Sequence, residues 1–201
     1  MVPSPYTTTR ARRSRHDAAV SDARVGGQRV YSGRVINVDV DQVRFPDGSI
    51  GELEIVRHPG ASAVVPFLSD PRGQDPTVLL LEQYRYAADG YLYEIPAGRL
   101  EPNEAPLACA RRELKEETGC SAEAIEPLLT LYTTPGFTDE RIHFFLATGI
   151  TRGEAKLEAD EFARVMTLPL SRVLSMISAG EIRDAKTVVA LLYAAGFCAG
   201  R

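Results

Sequence analysis

The 201-residue sequence predicts an α/β protein, in which a mixed β-sheet is flanked by helices in an α/β/α sandwich and preceded by a small antiparallel β module. Short runs that alternate in polarity or are wholly apolar, bounded by turn residues, are typical of strands and lie on both sides of one strongly helical segment, 106–118. Two further helical patterns follow near the C-terminal end. The chain is long enough to bury a sizeable core.

The sequence divides into three segments, residues 1–22, 23–58 and 59–201. The first segment is rich in arginine and has few large apolar side chains, so we expect a disordered tail. Its composition resembles that of a transit peptide, but it lacks the amphipathic leucines of one. We expect the second segment to form the β module and the third to form the main domain.

Alternation predicts the strands of the N-terminal module. Apolar residues recur at period two between Val30 and Val40, and residues 43–45 continue the extended pattern. A turn signal at 46–49 and an apolar run at 50–55 complete an antiparallel hairpin. The His-Pro-Gly sequence that follows ends the module.

The main domain is predicted to contain strands and helices that together form the sandwich. Strands are expected at residues 61–68, 77–83, 91–95, 128–133, 142–148 and 162–168. Helices are expected at residues 106–118, 169–179 and 184–195. In the first helix, Leu107, Ala110 and Leu114 form an apolar stripe that we expect to pack on the sheet.

Composition argues against several classes of protein. The formal net charge of −4 gives no support for a general nucleic-acid binder. Cys109, Cys120 and Cys198 are odd in number and lack metal-ligand spacing, so neither a disulfide framework nor a zinc site is indicated. No apolar run reaches transmembrane length and no signal-peptide core is present, so we expect a cytoplasmic protein without a membrane partner.

The segment 98–120 carries the strongest chemical pattern in the chain. On the predicted helix, Glu113 and Glu117 are four residues apart and share one face, and Glu116 lies beside them. Three neighbouring like charges repel, and a hard divalent cation that prefers carboxylate oxygens would remove that cost. The alternative is a solvated acidic face in which the basic residues of the same helix pair with these glutamates: Arg111, Arg112 and Lys115.

This segment resembles the Nudix box, a pattern of glycine, glutamate and arginine at fixed spacing. The matching residues are Gly98, Glu104, Arg112, Glu113, Leu114, Glu116, Glu117 and Gly119. Cys120 departs from the pattern, because a bulky aliphatic residue usually stands at that position. The resemblance implies a Nudix-type fold and a hydrolase that depends on a divalent metal ion.

The resemblance extends over about residues 30–195 and points to the ADP-ribose pyrophosphatase branch of that family. The segments that carry it are 83–86, 93–98, 135–140 and 184–187, together with Pro135 at its distance from the box glycine. It implies hydrolysis of ADP-ribose to AMP and ribose 5-phosphate with Mg²⁺ or Mn²⁺. A broader hydrolase of nucleoside diphosphate sugars such as GDP-mannose, and a catalytically weak domain that senses a nucleotide metabolite, remain alternatives.

The same resemblance assigns roles to residues of the box and its surroundings. It implies that the metal ligands are Glu113, Glu116, Glu117 and the backbone carbonyl of Ala97. Arg112 is expected to orient a box glutamate by a charge-assisted hydrogen bond, and Glu104 to support the loop and the helix N-terminus. Arg85 is a candidate to contact the diphosphate, because its planar fork suits phosphate oxygens; the alternative is a surface arginine.

The catalytic base is expected in the acidic run before the last strand. Glu161 matches a further metal ligand of the branch, whereas Ala159 stands where the usual base would be. Either Glu158 or Asp160 replaces that acid, or the activity is altered. Glu140 is a less favoured base and is expected to contact the substrate.

The resemblance also implies a homodimer, built through exchange of the N-terminal β module. Arg57 or Phe45 of that module would then lie near the adenosine of the substrate; a solvent-facing strand residue and a core residue are the alternatives. The expected partners are therefore a small nucleoside diphosphate sugar and a second copy of the chain, with no nucleic acid.

Overall fold

The computed structural model describes residues 23–153 and 162–198 and divides into two compact units. The first unit contains the described residues up to His58 together with Gly136–Asp139. The second contains Pro59–Pro135 and the described residues from Glu140 onward. That a short segment from the middle of the chain belongs with the N-terminal module was not predicted from the sequence.

The first unit is an antiparallel sheet of three strands in sequential order. The strands are β1 (Arg24–Ser32), β2 (Asn37–Arg44) and β3 (Ile50–Arg57). The alternating stretch that we read as continuous is broken by a turn, in which the Gly33 amide donates to the Ile36 carbonyl at 2.9 Å. The second turn lies where the sequence predicts it, and there Asp47 accepts a 2.9 Å hydrogen bond from the Ser49 amide.

The described residues of the second unit form two sheets and three α-helices, with a short 3-10 helix at Tyr86–Ala88. Its strands are β4 (Ala61–Pro66), β5 (Thr77–Arg85), β6 (Gly90–Glu94), β7 (Ala97–Arg99), β8 (Ser121–Tyr132), β9 (Arg141–Thr151) and β10 (Ala163–Pro169). Its helices are α1 (Pro106–Thr118), α2 (Leu170–Ser178) and α3 (Ala185–Phe197). One sheet has the order β7-β4-β9-β8, with β4 and β9 parallel, and the other is antiparallel with the order β10-β5-β6.

Strand β4 separates two apolar layers because its side chains alternate between the two faces of the sheet. Val64 belongs to a buried cluster with Ala110 and Leu114 of α1. Its neighbours Ala63 and Val65 belong to the other cluster, to which α2 and α3 contribute their buried side chains. Helices therefore cover both faces of a mixed sheet, and the predicted α/β/α fold with an antiparallel N-terminal module is confirmed.

Helix α1 has the predicted bounds, but the predicted apolar stripe is wrong at its first position. Leu107 is 43% exposed, whereas Ala110 and Leu114 are fully buried. The buried face of the helix is completed by Glu113 and Glu117. Side chains at these two positions face β7, so the helix packs on the sheet through a partly acidic face.

Strand β8 begins seven residues before its predicted start, because its pairing with β9 continues through an irregularity between Pro127 and Leu129. A bulge of this kind shifts the alternation of side chains, so one period does not describe the whole strand.

Among the described residues, no helix is long and apolar enough to span a membrane.

Candidate active site

Helix α1 is positioned by signals at both of its ends. Pro106 occupies the first turn, where its missing amide hydrogen costs nothing. Gly119 ends the helix in the left-handed conformation, with φ of 72°, and donates its amide to the Lys115 carbonyl at 2.9 Å. These bounds place Glu113, Glu116 and Glu117 on the last two turns, beside the short strand β7.

Two buried carboxylates meet at Ala97 and Gly98 of β7. The Ala97 amide donates to Glu117 Oε2 at 2.9 Å. A Cβ atom added to Gly98 would lie only 1.8 Å from Glu113 Oε1, so the carboxylate occupies the space that a side chain would fill. Glycine is required at position 98 because Glu113 packs directly against its backbone.

Arg112 connects the loop before the helix to the carboxylates on it. Its Nε and Nη2 atoms donate to the two oxygens of Glu104, both at 2.9 Å, in a bidentate pair. Its Nη1 atom donates to Glu113 Oε1 at 2.6 Å and to Glu116 Oε2 at 3.1 Å. Arg112 therefore lies beside the box carboxylates and reduces their mutual repulsion.

Glu104 has a second function in the same loop, where its Oε2 accepts the Glu101 amide at 3.0 Å. Hydrogen bonds from Arg112 hold the pKa of Glu104 at about 2, well below its usual range. The same ion pairs raise the pKa of Arg112. Burial raises the pKa of the nearby Cys109 thiol to about 11, so this cysteine is a neutral packing residue.

The donor chemistry of this cluster fits a hard divalent cation. Glu113 and Glu117 converge on β7, and Glu116 is about half exposed beside them, so the available ligands are carboxylate oxygens. Within residues 23–153 and 162–198, no three acidic, histidine or cysteine side chains are arranged as a complete metal site. The remaining predicted acids, Glu158, Asp160 and Glu161, lie outside the described residues together with Ala159.

A second charged cluster surrounds Glu94 at the end of β6. Arg85 donates Nε and Nη2 to the two oxygens of Glu94 at 2.7 and 2.8 Å, and Lys186 donates to the same carboxylate. Burial disfavours the charged carboxylate, but its bonds to Arg85 and Lys186 outweigh this, so the pKa of Glu94 lies below its usual value. Asp184 accepts from Lys186 at 3.0 Å.

Arg85 was a candidate from its sequence pattern, whereas its partner Glu94 was not singled out. The signal available in the sequence was an acidic residue at the end of a strand, two residues before Pro96. The partner Lys186 is distant in sequence, so no local pattern connects it to Glu94.

Arg57, a predicted substrate contact, is an ion-pairing residue of the first unit. It pairs with Asp39 and Asp139, both at 3.2 Å, and also with Asp41. The aromatic ring of Phe45 lies against Gly51, because a Cβ atom added to that glycine would be 2.6 Å from the ring. Within this unit both residues therefore have structural contacts.

Glu140, the other predicted substrate contact, belongs to the second unit. Its Oε2 accepts a 2.9 Å hydrogen bond from the Thr133 hydroxyl, and its carbonyl accepts the Thr133 amide at 3.2 Å. These bonds close the base of the loop between β8 and β9. The role of Glu140 toward a substrate stays a prediction.

Comparison with known proteins identifies the family to which this arrangement belongs. Residues 58–191 match the family described as the NUDIX domain. The chain belongs to the Nudix family. The predicted family is thereby confirmed, and Nudix hydrolases generally require a divalent metal ion.

Relatives of this Nudix protein carry three different names. The methanol dehydrogenase activator of Bacillus methanolicus is 42% identical over 83% of this chain and 88% of its own length. The ADP-ribose pyrophosphatase of Bacillus subtilis (strain 168) is 37% identical over 87% of this chain and 93% of its own. The GDP-mannose pyrophosphatase of Salmonella paratyphi B is 42% identical over a shorter region, 58% of this chain and 65% of its own.

A solved structure supports the fold of this Nudix protein. It is titled as an ADP compounds hydrolase and superimposes with a TM-score of 0.73. The alignment covers 87% of this chain and 92% of that chain at 20% sequence identity. At this identity the likeness concerns the fold alone.

Proposed function

We propose that this Nudix protein hydrolyses the diphosphate bond of ADP-ribose to AMP and ribose 5-phosphate, with Mg²⁺ or Mn²⁺ as the metal ion. The observation that carries the proposal is the convergence of Glu113 and Glu117 on Ala97 and Gly98 of β7. Support also comes from the relative named ADP-ribose pyrophosphatase, which is similar over 87% of this chain.

In this proposal Glu113, Glu116 and Glu117 would hold the metal ion, together with the Ala97 carbonyl and Glu161. A bound divalent ion neutralises diphosphate charge and lowers the pKa of a water molecule. Arg112 keeps Glu113 oriented through the 2.6 Å hydrogen bond. Either Glu158 or Asp160 accepts the proton of the attacking water.

Arg85 binds the diphosphate in this proposal. Its guanidinium is held by Glu94 through Nε and Nη2, and 43% of its side chain is exposed. A planar fork with several donors suits phosphate oxygens. Glu140 is proposed as a further substrate contact.

We further propose that the protein acts as a cytoplasmic homodimer and that the partner's N-terminal module, with Arg57, reaches the substrate. Exposed apolar side chains on β1 and β3 support an interface there, since Tyr31 and Ile50 are both more than half exposed. Light scattering after size exclusion tests this: a mass near twice 22.0 kDa is expected, and the monomer mass would contradict it.

The test of the substrate is a hydrolysis panel with Mg²⁺ and Mn²⁺. ADP-ribose, GDP-mannose, UDP-glucose, NADH and diadenosine polyphosphates are compared, and products are identified by mass spectrometry. We expect ADP-ribose to give AMP at the highest kcat/KM. Binding of ADP-ribose without turnover would replace the proposal by a metabolite-sensing role.

A broader nucleoside diphosphate sugar hydrolase is the second candidate. The observation that favours it is the similarity to a GDP-mannose pyrophosphatase, at 42% identity over 126 residues. Comparable rates on several sugars in the same panel would select it. The activator name of another relative describes an effect and names no substrate, so it adds no substrate candidate.

A further inference from the structure

Glu94 is a buried acidic residue that binds two basic side chains outside the box helix. It is 2% exposed, and both of its carboxylate oxygens accept hydrogen bonds. Arg85 binds both oxygens, and Lys186 binds Oε2 as well. A buried carboxylate is costly unless it is fully paired, and two cations pair this one at once.

The pair with Glu94 determines which edge of the Arg85 guanidinium is presented outward. A guanidinium has five N–H donors in a fixed plane, and Glu94 engages the Nε donor and one donor of Nη2. The donors on Nη1 and the second donor of Nη2 point away from Glu94. The Arg85 side chain is 43% exposed, and these outer donors are the ones that its pair with Glu94 leaves for an anion.

The beginning of α3 anchors the same cluster. Asp184 caps that helix by accepting the Thr187 amide at 3.0 Å and the Thr187 hydroxyl at 2.6 Å. The Thr187 hydroxyl oxygen in turn accepts the Ile95 amide at 2.9 Å. Lys186 bridges Asp184 and Glu94. The end of β6 is therefore bound to α3 through both its side chain and its backbone.

We propose that Glu94, anchored by Lys186, is a positioning residue that holds Arg85 with its outer edge toward the diphosphate of the substrate. This inference rests on the proposed function, in which Arg85 contacts that group. An arginine without such a partner would lose conformational entropy on binding an anion, because several of its rotatable bonds would become fixed. Three residues after Glu94, the Ala97 amide holds Glu117, so one short backbone segment positions both groups.

The change in ligand affinity caused by Glu94→Gln distinguishes a positioning role of Glu94 from a purely electrostatic one, because the two roles predict changes of opposite sign. The substitution keeps the shape of the side chain and removes a negative charge close to the anion. If Glu94 contributed only its charge, an anionic ligand would bind more tightly to the variant. If Glu94 positions Arg85, the ligand binds more weakly although repulsion has decreased.

The experiment measures binding by calorimetry, without added divalent metal, for two probes: ADP-ribose and inorganic pyrophosphate. We expect Glu94→Gln and Arg85→Lys each to weaken binding about tenfold. We expect the double variant to bind no more weakly than Arg85→Lys, because Glu94 acts through Arg85. Equal or tighter binding by Glu94→Gln, or additive losses, would overturn the proposal.

Glu82→Gln is the matched control. Glu82 lies on β5 of the same hairpin and is also paired with an arginine, Arg164, at 3.0 Å. Its substitution should leave the affinity for both probes unchanged. If Glu94→Gln fails to fold, Lys186→Gln is measured instead. We expect Lys186→Gln to weaken binding when Arg85 is present and to have no further effect when it is combined with Arg85→Lys.

Hydrolysis by the unmodified protein is scored separately from binding. Non-additive loss of binding without any hydrolysis would support the positioning role and reject the proposed reaction. Hydrolysis of ADP-ribose with kcat and KM unchanged in Glu94→Gln would support the reaction and reject the positioning role.

Discussion

At the scale of single residues, the candidate site depends on one glycine and the carboxylate beside it. Gly98 leaves the space that Glu113 occupies, and Arg112 keeps that carboxylate in place with a 2.6 Å hydrogen bond. Glu117 is held independently by the Ala97 amide. The two glutamates are therefore oriented by different groups, and each can be tested alone.

Gly98→Ala should displace the Glu113 carboxylate, because the added Cβ would lie 1.8 Å from Oε1. We expect a loss of at least about tenfold in kcat/KM, with weaker binding of Mg²⁺. Gly196→Ala is the control, since a Cβ atom there meets no heavy atom within 4 Å. Full activity of Gly98→Ala would show that the position of Glu113 does not matter for the reaction.

Glu117→Gln should reduce turnover by at least about a hundredfold and leave the fold intact, because it removes ligand charge without removing bulk. Glu126→Gln, at an exposed position of β8, is the control for the loss of one acidic residue. Steady-state kinetics at saturating Mg²⁺ and circular dichroism are the measurements. Retention of most activity would reject the assignment of Glu117 as a metal ligand.

At the scale of elements, helices in this protein begin in three different ways. Helix α1 begins with Pro106, and α3 is capped by its own Asp184. Helix α2 has no side-chain cap at Pro169. Instead, Asp75 from a distant loop accepts the Ser171 amide at 2.9 Å and the Ser171 hydroxyl at 2.7 Å.

Asp75→Ala should lower the thermal unfolding midpoint by about 2–4 °C, because it removes the carboxylate that accepts hydrogen bonds from the first turn of α2. Asp70→Ala is a control from the same loop, where the Asp70 side chain accepts a local bond from the Arg72 amide at 3.0 Å. Its effect should be smaller. Equal midpoints for Asp75→Ala and the unmodified protein would show that solvent caps α2 equally well.

At the scale of the whole molecule, the two units carry charge in different ways. The first unit concentrates ion pairs on one face of its sheet, where Asp39 and Asp41 are buried between arginines. The second unit distributes its ion pairs between the box helix and the Glu94 cluster. Paired carboxylates in both units make the folded state sensitive to acid.

Asp39 sets the pH range of that sensitivity in the first unit. Hydrogen bonding from Arg29, and then from Arg57, lowers the pKa of Asp39 to about 2 in the folded protein. Its ordinary value is about 3.9, so the folded state binds the proton less readily than the unfolded state. The stabilisation is complete above about pH 5 and is lost as the pH falls toward 2.

Asp39→Asn should therefore lower the thermal midpoint at pH 7, and the difference from the unmodified protein should shrink as the pH falls from 5 to 2. Thermal unfolding at several pH values, followed by circular dichroism, is the measurement. A difference that stays constant down to pH 2 would show that the charge of Asp39 does not contribute.

Local patterns predicted the parts of this protein whose causes lie close together in sequence. The bounds of α1 follow from a proline at its first residue and a glycine directly after its last residue. The common face of Glu113 and Glu117 follows from helical periodicity. The strands β4, β5 and β6 were predicted to within a few residues because their apolar runs are bounded by turn signals. Strand β8 was predicted poorly, since its pairing shifts register.

The features that the sequence did not predict depend on contacts between residues that are distant in sequence. The Glu94–Lys186 pair joins residues 92 positions apart, and Asp75 caps a helix 96 positions later. No local sequence pattern predicts such contacts, because they form only when the folded chain brings the two groups together. The sequence by itself determined the family, the helix and its acidic face. Only the tertiary structure decided that Glu113 needs Gly98, that Leu107 is exposed, and that Arg85 is bound by a buried carboxylate.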